Sequence, residues 1–526
     1  MVPTTMESGP CNISILPREI FWMVLGHLGH RDIIHSRRVC RAWNEAFRDP
    51  ANMQFLLQEW FPLSDEAREP KMQSWNQGPV SNDDDNDDKD DYWRRMFDRV
   101  VCRHDHLARG KPKSVQKHKL CDDFGVSGER EWFPVQPWEN HASHLMQRVD
   151  CNFMETFWTY EEGLVVYPSA DHHGLVLMDL ESDRKSMVPF TTTGKVVRRV
   201  RLQKRVLVVE WAEPRAFHWL NDSDGVHRHF ASSFDVERNS SSTDGGWSVT
   251  FRNEWKIMFL GHPLSDNDRF FSTHSKTHYV IYIWQPNRSL YTADEDAPIE
   301  SLMVWDISSP SSYRPSRDPT GCLKPKTHGD DTGPSIVNRF GFRELGFFSV
   351  RQRGLPGIQR LAITDDANAI QITEHRCTGP MDRLVGPAEW TSQVHLTSLP
   401  LIGDGPVLRK PLEDVLLAPY RGNSDGLHSK PLVSPSACRD RPWYTTVSEA
   451  LDEKSHVAYR LHLSPLNWPF DLRTSLSVDI PTHGIQTTVK HVDIFELAGR
   501  GKIRGNQNHL VGENDNRELI VWRFDR

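Results

Sequence analysis

The sequence predicts an α+β multidomain chain: a small helical module first, then an all-β region built by repetition about an axis, as in a β-propeller. Three observations carry this. The 526 residues exceed what one hydrophobic core usually organises. Residues 13–60 place apolar side chains at spacings of three and four, the helical period. From about residue 150 the pattern changes to short β-branched and aromatic runs bounded by Gly, Pro, Asn and Asp.

Within residues 11–60 three short helices are expected. Pro17 suits a first helical position because its missing N–H costs nothing there. Ile20, Val24 and Leu28 are expected to face an internal core, with Phe21 and Leu25 on an adjoining stripe, an apolar arc wider than so small a module can cover. Asp32 is placed to cap the second helix, and Val39, Trp43, Ala46 and Phe47 mark a third that Asp49-Pro50 stops. Surplus apolar surface on a module this small reads as half of a protein interface.

Residues 61–149 read as a linker with helices. Residues 51–62 and 91–110 are helical in pattern, separated by an acidic run at 81–91 expected to be a surface loop. That run holds seven Asp and one Lys, and so accounts for most of the net charge of −8. Charge elsewhere is nearly balanced and argues neither for nor against nucleic acid, and no nucleic-acid partner is expected. Read as a calcium loop from Asp83, the run lacks the Gly at its sixth place, where Asp88 stands, and the Glu at its twelfth, where Arg94 stands. The Lys-rich residues 110–119 read as a solvated linker, with a nuclear signal as the second reading.

For residues 150–526 the expected strand pairs are 163–167 with 175–180, 206–211 with 216–220, 269–273 with 278–284, and 359–363 with 369–373. Further runs are expected at 301–307, 345–350, 457–463, 491–497 and 518–524. A β-region this large is far bigger than a sandwich, and repetition in blades of about 40 to 45 residues yields seven or eight, fewer once loops are removed. The final strand is expected to close the ring against an early one.

Eight cysteines without any C-x-x-C spacing read as reduced thiols. Sequons occur at Asn12, Asn221, Asn239 and Asn287, but the first residues do not form a basic-then-apolar leader, so an intracellular protein, cytoplasmic or nuclear, is expected. No apolar run reaches the roughly 18 residues a bilayer span needs, and no membrane partner is expected.

Leu16-Pro17, Ile20, Leu25 with Leu28, Asp32, and Val39-Cys40-Arg41 with Trp43 together resemble the F-box motif. The resemblance implies docking on the Skp-type adaptor that links such proteins to a cullin, with Leu16, Pro17, Ile20, Leu25, Leu28, Val39 and Trp43 as contact residues. Val39 and Trp43 serve equally well as internal core. Residues 91–112 are similar to the helix that joins F-box to propeller in F-box/WD-repeat-like proteins of fungal type. Residues 176–180, 303–307 and 520–524 resemble the final strand of WD-type blades. Only Trp305-Asp306 keeps the Trp-Asp pair, and only Gly261-His262 matches the Gly-His motif that stands upstream of it in a standard repeat.

Catalytic patterns fail on context. Residues 422–426 match G-x-S-x-G, but Pro431 and Pro435 follow where a helix is required. His104 with His106, His172 with His173, and His227 with His229 lack any partner spacing of a metal site and read as surface histidines. Arg199 and Arg201 share a strand face opposite Val200 and Leu202, which suits either a solvated edge strand or an anion-binding, substrate-reading face. The expected function is a substrate-recognition subunit of an SCF-type cullin-RING ubiquitin ligase that binds an unknown protein substrate. It is expected to need no catalytic residue, metal or cofactor. The alternative is an F-box interaction scaffold that works outside a ligase.

Overall fold

Pro17 and Asp49-Pro50 punctuate the helical region as their chemistry requires. Pro17 sits at the N-cap of α1 (Arg18–Gly26), while Asp49 caps α4 (Pro50–Trp60) by accepting from the Ala51 and Asn52 amides. Between them lie α2 (His30–Ser36) and α3 (Arg41–Phe47). The computed structural model describes residues 16–68, 86–121, 156–172, 174–219, 225–239, 246–257, 264–265, 268–285, 298–323, 333–352, 357–378, 391–403, 405–412, 445–467, 471–481 and 485–525. The G-x-S-x-G run, Gly261-His262 and His173 lie outside them, as do the first residues of the acidic run.

Two helical expectations change. Asp32 stands at the third position of α2 rather than at its cap, and its carboxylate accepts from the Gly29 amide at 3.0 Å. Phe21 and Leu25, not Ile20, turn inward, because the covering helix α4 packs on that stripe and buries it with Ile33, Phe47, Leu56 and Leu57. Residues 86–91 of the acidic run are helical and begin α5 (Asn86–Ala108).

The β region forms six four-stranded antiparallel sheets, the blades of a propeller. The Lys-rich segment expected to be a linker supplies β1 (Ser114–Lys119), whose alternating half-buried and exposed residues fit an outer strand. The first blade is β2 (Thr159–Glu161), β3 (Leu164–Ser169), β4 (Gly174–Asp179) and β5 (Lys185–Met187). The second is β6 (Val196–Gln203), β7 (Val206–Ala212), β10 (His229–Arg238) and β11 (Trp247–Ile257), with a small hairpin, β8 (His218–Trp219) and β9 (Gly225–Val226), between its middle strands. Residues 216–220 therefore do not pair with 206–211; β7 lies between β6 and β10 instead.

The third blade is β12 (Arg269–His274), β13 (His278–Gln285), β14 (Ile299–Asp306) and β15 (Ser335–Phe340), and the fourth is β16 (Ile358–Ile363), β17 (Ala369–Thr378), β18 (Thr391–Pro400) and β19 (Leu408–Leu412). The fifth comprises β20 (Thr445–Leu451), β21 (Ala458–Asn467), β22 (Asp471–Pro481) and β23 (Ile485–His491). β24 (Ile503–Gly505), β25 (His509–Glu513) and β26 (Glu518–Arg523) make three strands of the sixth, and β1 completes it by pairing Ser114 with Arg523 through Lys119 with Glu518. Closure by an early strand is as expected, and it removes the exposed edge of β26.

Expected strands at 345–350 and 491–497 are instead largely short helices, α6 (Phe342–Phe347) and α7 (Ile494–Ala498), each joining the outer strand of one blade to the inner strand of the next. α7 packs so closely on β25 that a Cβ at Gly512 would meet the Leu497 carbonyl at 2.2 Å. The WD-like runs occupy β4, β14 and β26, equivalent places in three blades, but each is the third strand and not the last. Apolar layers fill the gaps between blades: Tyr279 of the third blade meets Trp255 of the second edge to face, and Trp305 of its own blade in the same way.

Candidate protein-interaction surfaces

The helical module does not close its own core. Phe97, Val100 and Val101 of α5 complete the layer formed by Phe21, Leu25, Phe47 and Leu57. Two turns further along α5, Leu107 enters the apolar layer between the fifth and sixth blades, beside Val457, Ile480 and Phe524. One helix thus belongs to two cores, and the module and propeller are held in a fixed relation.

Polar contacts lock both ends. Arg37 of the module donates to Asp98 of α5 at 2.5 Å and to the Phe47 carbonyl at 3.3 Å, with its guanidinium 5.3 Å from the Phe97 ring centroid. At the propeller end Arg103 donates both terminal nitrogens to Glu66 at 2.8 Å and one to Asn508 at 2.7 Å. Burial pushes the Glu66 carboxyl up, but the Arg103 guanidinium more than reverses this and holds it below its ordinary range. Arg99 pairs with Asp525 at 2.6 Å, and Gln507 donates to Asp65 at 2.7 Å.

His104 lies inside this junction, not on the surface as its sequence context suggested. Its ring is 5.1 Å from Phe61 and 4.8 Å from His30, and among the described residues neither of its ring nitrogens has a hydrogen-bond partner. Burial, helped by the neighbouring His30, drives its pKa down to about 4. His227 and His229 are likewise buried, the latter against Arg198 at 2.8 Å. Among the described residues no group of His, Cys, Asp and Glu could hold a metal ion.

Large apolar side chains of the module reach solvent. Ile20 is 45% exposed, Met23 65% and Val39 62%, and Pro17 is also exposed. Leu16, Leu28 and Trp43 are half-buried, whereas Leu25 is fully enclosed. Of the sequence-derived contact set, six residues therefore reach solvent and Leu25 supports them from beneath. Met23 belongs to no motif position, yet its i, i+3 spacing from Ile20 places it on the same face.

In antiparallel blades, turns from first to second strand lie on one face of the propeller, and the connections from blade to blade lie on the other. The junction touches the first face: Asn508 lies in the turn joining β24 to β25 and Ser455 in the turn joining β20 to β21. There, side chains of these turns pair between blades that are not neighbours. Lys204 of the second blade meets Asp365 of the fourth at 2.8 Å, and Lys454 of the fifth meets Glu162 of the first at 2.6 Å. Glu162 also pairs with Arg205 at 2.9 Å. These bridges span the module-side mouth of the central channel.

Arg199 and Arg201 lie on β6, the innermost strand of its blade and an edge of its sheet as expected, but that edge is buried against the next blade rather than solvated. Arg199 is buried and donates to the Ser272 carbonyl at 2.7 Å and hydroxyl at 2.6 Å, and Arg201 reaches the same carbonyl at 3.0 Å. Both guanidiniums thus tie the second blade to β12 of the third.

Comparison with known proteins adds one sequence relation and a few distant folds. Residues 13–57 match the F-box-like family. No curated protein matches the chain by sequence. A chain from the crystal structure of the Mitotic Checkpoint Complex is 9% identical with a TM-score of 0.28, covering 78% of this chain and 91% of that one. Trypanosoma rangeli sialidase in complex with sialic acid is 10% identical with a TM-score of 0.30, covering 78% and 59%. Similarities this slight say nothing of what the chain binds. No helix among the described residues is long and apolar enough to cross a membrane.

Proposed function

We infer that this chain, an F-box-like domain followed by a six-bladed β-propeller, is a substrate-recognition adaptor of an SCF-type cullin-RING ubiquitin ligase. The observation that carries the reading is the exposure of Pro17, Ile20 and Met23 along α1, with Val39 exposed after α2, on a module held to the propeller through α5. Leu16, Pro17, Ile20, Leu28, Val39 and Trp43 dock on the Skp-type adaptor, with Leu25 fixing the helix behind them, and the cullin follows through that adaptor. An interface of this kind draws its affinity from a few apolar anchors in a desolvated centre.

The propeller then presents a protein substrate. Holding it near the ligase core raises its effective concentration at the site of ubiquitin transfer, so the chain itself needs no catalytic group. Arg199 and Arg201 are the substrate-reading candidates from sequence, and that role requires them to leave Ser272.

Capture of the full chain by the Skp-type adaptor, with cullin added, tests the reading. Wild type should retain both proteins, and Leu16→Asp/Pro17→Ala should retain neither. A wild-type chain that holds no adaptor sinks the reading, and one that holds adaptor but never cullin supports the ligase-independent scaffold.

A further inference from the structure

We propose that β1, the outermost strand of the sixth blade, is a site for strand addition by an extended peptide with carboxylates at alternate positions. The site lies on the rim of the propeller and stands whether or not the module binds an adaptor.

β1 is held on one side and open on the other. It pairs with β26 from Ser114 to Lys119. Gln116 and His118 turn toward the first blade: Gln116 accepts from Arg523 at 3.1 Å, Arg523 also meets Asp183, and the His118 ring lies 5.7 Å from Tyr167. Val115, Lys117 and Lys119 alternate with them and are exposed, Val115 at 48%. Among the described residues no strand lies beyond β1 in its sheet.

The charge along this strand is one-sided. Lys111 and Lys113 lead into it and are exposed like Lys117 and Lys119. Among the described residues Glu518 is the one acid within ion-pair reach of these four, 4.0 Å from Lys117. Lys113 donates to the Asp525 carbonyl at 3.5 Å, while the Asp525 carboxylate is taken by Arg99 at 2.6 Å. Four ammoniums beside one carboxylate leave a positive surplus. Lys113, Val115, Lys117 and Lys119 follow one alternation, which spaces such side chains about 6.6–7 Å apart.

An open strand edge invites any extended segment, and lysines along it turn most of them away. They do not turn away a strand whose own alternate residues are acidic. Side chains directly opposite Val115, Lys117 and Lys119 in an added strand share their face at Cβ separations of about 4.5–5.5 Å. Carboxylates there form cross-strand ion pairs, and an aliphatic residue covers Val115. The backbone ladder supplies affinity and the alternation supplies the choice of partner. A second copy of β1 is excluded from the same edge, because lysine would meet lysine.

The test uses the full chain and a fluorescein-labelled peptide, Glu-Thr-Glu-Thr-Val-Thr-Glu, read by fluorescence anisotropy. Wild type should bind it, more weakly as salt rises. Lys117→Glu/Lys119→Glu should weaken binding about tenfold or more, and Lys117→Arg/Lys119→Arg should retain it. Two N-methylated forms of the peptide probe the ladder without altering the chain: methylation of the alternate amides that face β1 should abolish binding, and methylation of the other set should not. A peptide of the same composition with its glutamates adjacent should bind about tenfold more weakly. No binding by wild type, equal binding by the Glu double variant, equal binding of the two peptide orders, or indifference to both methylated sets overturns the proposal. So does an oligothymidylate that binds as tightly as the peptide and competes with it, since the lysines would then hold any polyanion. If the Glu double variant loses the wild-type circular dichroism, the peptide series on wild type decides.

Discussion

The junction and the channel mouth are both built from ion pairs, but they are built differently. Arg103 and Glu66 are almost wholly removed from water, paired through two hydrogen bonds, and flanked by Asn508. Lys204 and Asp365 reach across the channel mouth with more than half of each side chain exposed. Desolvation makes the first pair obligatory, because either partner left alone is a buried charge, whereas water and salt screen the second. The junction therefore depends on its charges, whereas the exposed bridges at the turns contribute little.

The largest effect should come from breaking the buried pair. Arg103→Ala leaves Glu66 enclosed without a partner and should cost about 3–5 kcal/mol. Limited proteolysis and chemical denaturation should then show the helical module released from a propeller that still unfolds at its wild-type midpoint. Loss of both domains together would mean that the junction is part of one cooperative unit.

Acid should act at the same place. The His104 pKa is lowered to about 4, so the unfolded chain takes up a proton near its ordinary value of 6.5 while the folded chain does not. Stability contributed by the neutral ring is full above pH 6.5 and is lost as pH falls from there towards about 4. The lowered Glu66 carboxyl loses its contribution in acid as well. His104→Phe should flatten the part of the decline between pH 6.5 and 4, measured by denaturant midpoint, and leave the Glu66 part in place. An unchanged pH profile would show that this histidine does not feel the junction.

The smallest effect should be at the channel mouth. Lys204→Ala should leave the wild-type midpoint unchanged at physiological salt, and a clear loss there would erase the contrast with Arg103.

How much of this was legible in the sequence depended on whether its signal was local. Pro17, the Val39 to Trp43 motif and the apolar runs at 175–180 and 278–284 are short-range patterns, and the helices and hairpins they mark are present. Position within a blade is not local. The 110–119 segment looks like linker because its lysines fit solvent, yet every second residue of β1 is half-buried once β26 lies beside it. Arg199 and Arg201 alternate as an edge strand would, and only the next blade reveals that both guanidiniums converge on Ser272. Residues 345–350 are apolar enough for a strand, but Gly341 followed by Glu344 supplies a helix start that β propensity conceals. In the module, the choice between the Ile20 and Phe21 stripes was settled by α4 and α5, which lie outside the motif itself.

The central claim is that the exposed face of α1 binds a Skp-type adaptor while the propeller remains independent of that contact. Calorimetric titration of the purified adaptor into the full chain, wild type against Ile20→Asp, tests it most directly. Saturable binding by wild type, its loss in Ile20→Asp, and the same thermal unfolding of the propeller in both are the predicted results. Equal binding by the two chains, or none by wild type, would contradict the account.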